Sequence, residues 1–231
     1  MGLFITFEGG EGSGKTTQAG KLHKKLAKLG IPTILTQEPG GTWLGFMLRA
    51  IVKRMVLAPS LSPVVELLLF CASRAQLISK VIEPSLRQSL VVICDRYAES
   101  TFAYQGYGRG LGLEMIRVVN SIATGGLRPD LIILLDIDSA SGLARQQAKR
   151  SLFHRLRNIK DRFGNSNIDF HQRVRRGYLE MAAAEPERWF VVDASLPKNE
   201  IEKLIWEKVK GLIATTEKQF TTIEYSSEPE A

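Results

Sequence analysis

Cysteine is scarce in this chain: two among 231 residues, and neither Cys71 nor Cys94 has a partner at metal-ligand spacing. Both lie inside apolar runs, which excludes a disulfide framework and points to buried free thiols of a cytosolic protein. Histidine is nearly as rare, and His23, His154 and His171 lack the mutual spacing that metal or nucleophile chemistry needs. Long hydrophobic runs are missing too. The stretches ELLLF and PDLIILLDI fall far below the roughly 20 apolar residues that cross a bilayer, and the short apolar opening has no basic leader, so neither a membrane span nor a signal peptide is expected. No internal repeat or composition break divides the chain. One α/β domain is expected over 1–214, and 215–231, polar and acidic at Glu217, Glu224, Glu228 and Glu230, is expected to be a disordered tail.

Positive charge is present in excess, with a net +7 and a pI near 9.5. It is concentrated rather than spread. Residues 145–176 carry ten Lys/Arg against Asp161 and Asp169, a local +8 that accounts for the whole surplus. Such a block fits nucleic acid, but equally the phosphates of a small ligand.

The most informative segment is LFITFEGGEGSGKTT, Leu3–Thr17. Leu3, Phe4, Ile5 and Phe7 read as a buried strand, and Gly9, Gly14, Lys15 and Thr16 then satisfy G-x-x-x-x-G-K-[ST]. Together with Gly10, Glu11, Gly12 and Ser13 they form a loop whose backbone N–H groups can converge on phosphate oxygens, next to the positive end of the following helix. Lys15 can bridge the β- and γ-phosphates of a nucleoside triphosphate, and Thr16 can ligate Mg²⁺.

Apolar runs at 3–7, 31–35, 90–94, 131–137 and 189–193 read as strands. They alternate with helical patterns near 15–29, 44–56, 63–80, 113–124, 139–150, 168–184 and 198–213. That alternation predicts a three-layer α/β/α fold around a five-stranded parallel sheet. Ligands of such sheets bind beyond the carboxyl ends of the strands. There Asp95 can meet a metal ion or its water and Arg96 can fork onto a phosphate, unless the two simply form a strand-end salt bridge. Pro39-Gly40-Gly41 forces a tight turn, and Arg49 is one further candidate anion ligand. Phe70 and Arg74, four apart on one helix face, suit stacking and hydrogen bonding to a planar base, although a core phenylalanine and a surface arginine would read the same way.

Taken together, FEGGEGSGKTTQ, TQEPGGT, ELLLFCASRAQLI, DRYAESTFAYQG, RPDLIILLDI, DRF, FHQRVRRGYLEMA and VVDA resemble the thymidylate kinase family across about residues 3–213. The resemblance implies a P-loop kinase fold with a helical lid over about 145–165, and in-line transfer of the ATP γ-phosphate to thymidine monophosphate, giving the diphosphate. It implies Mg²⁺ held by Thr16 and Asp95, with Lys15, Asp95, Arg96 and a lid arginine as catalytic groups. Arg150 is the first choice among Arg150, Arg155, Arg157 and Arg162, because positions 10–13 of the loop supply no arginine. It further implies that Phe70 stacks on thymine, Arg74 bonds its exocyclic oxygen, Thr101 and Gln105 approach the base edge, Tyr104 packs on the deoxyribose, Arg49 and Arg96 clamp the monophosphate, and Glu11 lies near the acceptor sugar or its metal. A cytoplasmic homodimer binding neither nucleic acid nor membrane follows from the same resemblance. Two departures touch the turn and the lid: Gln37 stands where the family often has arginine, and Gly164 where an acidic residue commonly follows phenylalanine. The rival readings are another nucleotide or nucleoside kinase, or a P-loop ATPase that uses the basic block to hold nucleic acid.

Overall fold

Five short strands, β1 (Phe4–Glu8), β2 (Thr33–Gln37), β3 (Val91–Asp95), β4 (Leu131–Asp136) and β5 (Trp189–Asp193), pair in parallel in the order β2-β3-β1-β4-β5. The computed structural model covers residues 2–53, 61–153 and 168–225; the side chains of 53, 149–153 and 215–225 lie outside the described residues. β1 and β3 are buried along their whole length, whereas the edge strands β2 and β5 are half-exposed. This is the distribution that the wholly apolar VVIC and LIILL segments require, since helices cover both faces of the central strands.

Side chains alternate between two cores. Ile5, Phe7, Ile93, Ile133 and Leu135 pack toward α1 (Lys15–Lys28) and α9 (Lys198–Tyr225), meeting Leu22, Leu26, Ile201 and Ile205. On the other face, Ile132 and Leu134 meet Phe170, Val174 and Tyr178 of α8 (Ile168–Ala184), while Phe4, Val92 and Cys94 meet Leu77 of α3 (Pro63–Leu77) and Ile82 beyond it. Cys71 and Cys94 are buried free thiols, as their apolar context predicts.

The remaining helices are α2 (Trp43–Lys53), α4 (Glu83–Arg87), α5 (Ala98–Thr101), α6 (Leu113–Thr124) and α7 (Ser139–Phe153). Three differences from the sequence pattern have physical reasons. β2 begins two residues later than expected, after Pro32, which has no N–H for a ladder, and runs on through Gln37. Pro84 does not end the helix before it: the chain widens into a π-helical turn over Ile78–Ile82 and enters α4 with Pro84 in its first turn, where a missing N–H is tolerated. α9 continues to Tyr225, past the fade expected near Thr215, because neither glycine nor proline interrupts the chain between Gly211 and Pro229.

Sequence periodicity also missed α5 and the helical segment that follows it. After α5 the chain forms a π-helix over Phe102–Gly108. Ala103, Tyr104, Gln105 and Gly106 are all buried, so no polar stripe marks a period, and Gly106 and Gly108 read locally as turn residues. Each glycine has a packing reason, since a Cβ on Gly108 would lie 2.6 Å from Phe170 and one on Gly106 2.6 Å from Leu113.

Candidate active site

The parallel register sets the site. Phe7 of β1 lies opposite Asp95 of β3, and Gln37 of β2 opposite the same residue, so three strands end together and their loops face one cleft of about 1160 Å³. That exceeds the roughly 300–1,000 Å³ of a typical single-ligand pocket. Two groups of residues line it, as two ligands side by side require.

At one end is the glycine loop. Gly9, Gly12 and Gly14 have φ of 136°, 70° and 95°, left-handed geometry that a β-carbon resists. Space is restricted as well. A Cβ on Gly12 would stand 2.0 Å from the Gly142 carbonyl of α7, and one on Gly142 2.3 Å from the Glu11 carbonyl, so loop and α7 touch backbone to backbone. Lys15 Nζ donates to Gly9 O at 2.9 Å, Gly10 O at 2.7 Å and Ser13 Oγ at 3.2 Å. Burial, reinforced by the Arg96 cation and opposed by Glu11, Asp95 and Glu8, pulls its pKa down to about 8. An ammonium this poorly solvated gains strongly from an anionic ligand.

Thr16 Oγ1 donates directly to Asp95 Oδ2. Among the described residues no group of three or more His, Cys, Asp or Glu could form a protein-only metal cage. A hydroxyl and a carboxylate side by side at a phosphate loop are the hard-oxygen set that suits a divalent ion completing its shell with phosphate and water. The residues therefore fit that group.

The middle of the cleft is organised by Arg96. Its backbone is left-handed, φ 74°, and its N–H is fixed on Phe7 O at 3.0 Å. A non-glycine residue in that region is strained and persists where its surroundings demand it. Nη1 reaches Gly9 O, Ser100 Oγ and Tyr178 OH at 3.2–3.3 Å, and Nη2 reaches Glu11 Oε1 at 3.1 Å and Tyr104 OH at 2.9 Å. Glu11 closes the network: Oε1 also accepts from Tyr104 OH at 3.1 Å, and Oε2 from Gln146 Nε2 of α7 at 2.9 Å. Beneath lies Glu8, which accepts from the Tyr97 N–H, Ser100 Oγ and Tyr178 OH at 2.6–2.8 Å. Burial pushes its pKa up, and the Arg96 charge followed by these hydrogen bonds restrains the rise.

At the other end lie Phe70, Arg49, Thr101, Tyr104 and Gln105, with Arg74 below them. Arg74 is 1 % exposed. Its Nε donates to Glu38 Oε2 at 2.8 Å, Nη1 to Asn120 Oδ1 and Cys71 Sγ, and Nη2 to Tyr97 O at 3.1 Å and Thr101 Oγ1 at 2.9 Å. Every N–H is engaged within the protein, so Arg74 is a buried brace that touches the cleft, not the surface arginine its helix spacing also allows. Arg49 Nη1 donates to Pro39 O at 2.8 Å. Glu38 is raised to about 7 by burial, with Arg74 opposing.

Apart from Gly9 and Gly10, whose carbonyls hold Lys15 at its edge, all the expected site residues whose side chains are described line one cleft. Of Arg150 only the backbone in α7 is described, and Arg155, Arg157 and Arg162 lie outside the described residues, as do 154–165 of the expected lid. Sequence reasoning missed Glu8, Glu38, Gln146, Tyr178 and the 194–198 loop. That loop lines the glycine-loop end and is tied down by Arg145 Nη1 to Ala194 O at 2.7 Å and by Gln18 Nε2 to Lys198 O at 2.9 Å. The available signal for Glu8 was a lone acid closing an otherwise apolar strand, since buried acids are rare unless partnered.

Glu99, next to this network, has its Oε2 enclosed with no hydrogen-bond partner among the described residues. Burial and then Glu8 raise its pKa to about 8, from 4.5. The folded state thus holds a proton that the unfolded chain releases between about pH 4.5 and 8, and stability falls as pH rises through that window. Glu99→Gln is expected to leave Tm unchanged at pH 4.5 and raise it at pH 8.5, read by differential scanning calorimetry; an equal shift at both pH values would exclude titration of Glu99 as the cause.

A family model described as thymidylate kinase matches residues 7–205. The chain is 52% identical over 198 residues to a thymidylate kinase of Roseiflexus sp. (strain RS-1), covering 84% of this chain and 87% of that one. It is 48% identical over 213 residues to the thymidylate kinase of Dehalococcoides mccartyi (strain ATCC BAA-2266 / KCTC 15142 / 195), covering 92% and 98%. Among solved structures, the thymidylate kinase of Ehrlichia chaffeensis superposes with a TM-score of 0.71 at 33% identity, over 90% of this chain and 98% of that one.

Proposed function

Because this chain belongs to the thymidylate kinase family and phosphorylates dTMP at the expense of ATP, serving dTDP biosynthesis, we propose how its residues divide that work. The observation that carries the reading is the Glu11–Arg96–Tyr104 network, which joins the phosphate loop to the base-binding end. ATP lies with its phosphates in the Gly9–Thr16 loop against Lys15, and its base toward Arg145 and the 194–198 loop. The acceptor monophosphate meets Arg96 and Arg49, its sugar packs on Tyr104 beside Glu11, and its base stacks on Phe70, with Thr101, Gln105 and Arg74 at the edge. Arg74 reaches the exocyclic oxygen by releasing one Nη2 bond.

The family uses a divalent metal, and we assign it as Mg²⁺ held by Thr16 and Asp95. Bound there, it would neutralise charge on the donor phosphates. An oxygen of the acceptor phosphate bonds to γ-phosphorus as the bond to the β,γ-bridging oxygen breaks, and no covalent enzyme intermediate is needed. Lys15 and Arg96 hold the two phosphates in line and stabilise the equatorial charge. Arg150, whose backbone lies in α7, is assigned as the further cation because positions 10–13 of the phosphate loop supply no arginine.

A coupled assay with MgATP tests the reading. Turnover is expected on dTMP, far less on GMP or AMP, and none on thymidine; turnover on the free nucleoside alone would replace it with a nucleoside kinase. DNA-stimulated ATP hydrolysis without monophosphate transfer would favour the nucleic-acid ATPase.

We further assign a cytoplasmic homodimer. Two buried free thiols support a reducing compartment, and among the described residues no helix is long and apolar enough to cross a membrane. The pairing surface is an apolar face running over α2, α3 and α6, which pack side by side. On it Trp43, Phe46, Leu68, Val118 and Ile122 are 78, 65, 51, 52 and 79 % exposed. So large an open apolar patch marks a protein interface. Ile122→Glu is expected to give a monomer of 25.7 kDa by sedimentation where the parent sediments at twice that mass; two monomers in the parent would remove the dimer.

A further inference from the structure

The base-binding end has a hydrogen-bonding polarity that is set from behind. Gln105 is 2 % exposed, stands in the π-helix, and lines the cleft near Thr101. Its Nε2 donates to Glu66 Oε1 at 2.7 Å. Glu66 comes from α3, is wholly buried, and also faces Arg109, whose Nε and Nη2 approach its two oxygens at 3.4 Å each. A carboxylate paired with a guanidinium only accepts hydrogen bonds, whereas a primary amide can both donate and accept. Glu66 therefore leaves the Gln105 amide one orientation: nitrogen toward Glu66, carbonyl oxygen away from it. Arg74 Nη2 donates to Thr101 Oγ1 at 2.9 Å, and both residues line the same cleft.

We propose that Glu66, backed by Arg109, is a specificity-determining positioning residue, which fixes Gln105 with its carbonyl toward the base and so selects a 4-keto pyrimidine over a 4-amino one. This deepens the reading above and rests on its placement of Gln105 at the base edge. Thymine offers an N3–H donor beside a carbonyl acceptor. Cytosine offers a bare N3 acceptor beside an amino donor. Against a fixed carbonyl, the thymine N3–H is matched, while the cytosine N3 sets two lone pairs face to face and leaves both unpaired in a closed site, a penalty far larger than the gain from one matched bond. Reversal of the amide would invert the preference. Nothing in Gln105 itself prevents that reversal; the acceptor-only group behind it does.

The experiment measures kcat and KM for dTMP and dCMP in four proteins: Gln105→Leu, Glu66→Gln, the two changes combined, and the exchange Glu66→Gln/Gln105→Glu. Gln105→Leu is expected to raise the dTMP KM roughly tenfold or more, the effect of one lost buried hydrogen bond; an unchanged KM would overturn both the base-edge placement and the inference. Glu66→Gln, whose amide can donate and so permits reversal, is expected to raise the dTMP KM with kcat nearly kept, to narrow the dTMP-to-dCMP ratio roughly tenfold or more, and to add nothing in the Gln105→Leu background. An unaltered ratio beside a responsive Gln105→Leu would sink the inference while leaving the base-edge placement intact. Should Glu66→Gln alone fail to fold, the exchange decides, because it restores an amide–carboxylate pair with an acceptor toward the base. Its dTMP KM is expected within about threefold of the parent, and a KM as high as that of Gln105→Leu would overturn the proposal.

Discussion

Replacing Lys15 by alanine is expected to lower kcat roughly a thousandfold, the scale of losing a preorganised charge at the reacting phosphates, while the dTMP KM stays close to that of the parent. The ammonium sits inside the glycine loop, bonded to two carbonyls and a hydroxyl. Those partners are neutral and no ion pair is broken, and burial with the Arg96 cation, outweighing Glu11, Asp95 and Glu8, already depresses its pKa to about 8. The variant should therefore keep or slightly gain Tm. Steady-state kinetics beside a thermal melt check both halves. A kcat within tenfold of the parent would remove Lys15 from the phosphates, and a collapsed Tm would make it a structural residue.

Arg96→Ala is expected to act on both function and fold. The guanidinium binds the phosphate loop through Gly9 and Glu11, the acceptor end through Tyr104, and Glu8 indirectly through the hydroxyls of Ser100 and Tyr178. Truncation strips the positive charge that faces Glu8 and Glu11 together, and a partly buried carboxylate left without its cation costs about 3–5 kcal/mol. We expect kcat/KM for dTMP to fall roughly a thousandfold and Tm to drop, in contrast to Lys15→Ala. Arg96→Lys should recover most of the Tm but little of the rate, because an ammonium cannot span phosphate, carboxylate and phenol as a planar fork does. Full catalytic rescue by lysine would show that charge alone is required.

The contrast between these two residues also explains what was legible in the sequence. Lys15 bonds partners two to six positions away, so the loop and its chemistry could be read directly from the spacing. The strands β1, β3 and β4 were equally plain, since burial on both faces writes an unbroken apolar run. Glu8, Glu38 and Glu66 were not: their partners lie 36 to 170 residues away, and an isolated glutamate carries no local mark of burial. Phe70 and Arg74 were correctly placed on one helix face, but spacing alone could not show that Arg74 is enclosed by Glu38, Asn120, Tyr97 and Thr101. The helical segment after Thr101 was missed because burial on every side erased the periodicity that sequence reading depends on.

That same segment makes chain length a constraint here. A π-helical stretch holds one more residue than an α-helix of the same number of turns. Excising Phe102 or Ala103, neither of which lines the cleft, would let the stretch rewind as ordinary α-helix: the chain beyond it keeps its place, while the side chains within it shift by up to one position, a turn of about 100°. Tyr104 and Gln105 could no longer both address the cleft, so a deletion that removes no contacting atom would still blind the site to its acceptor.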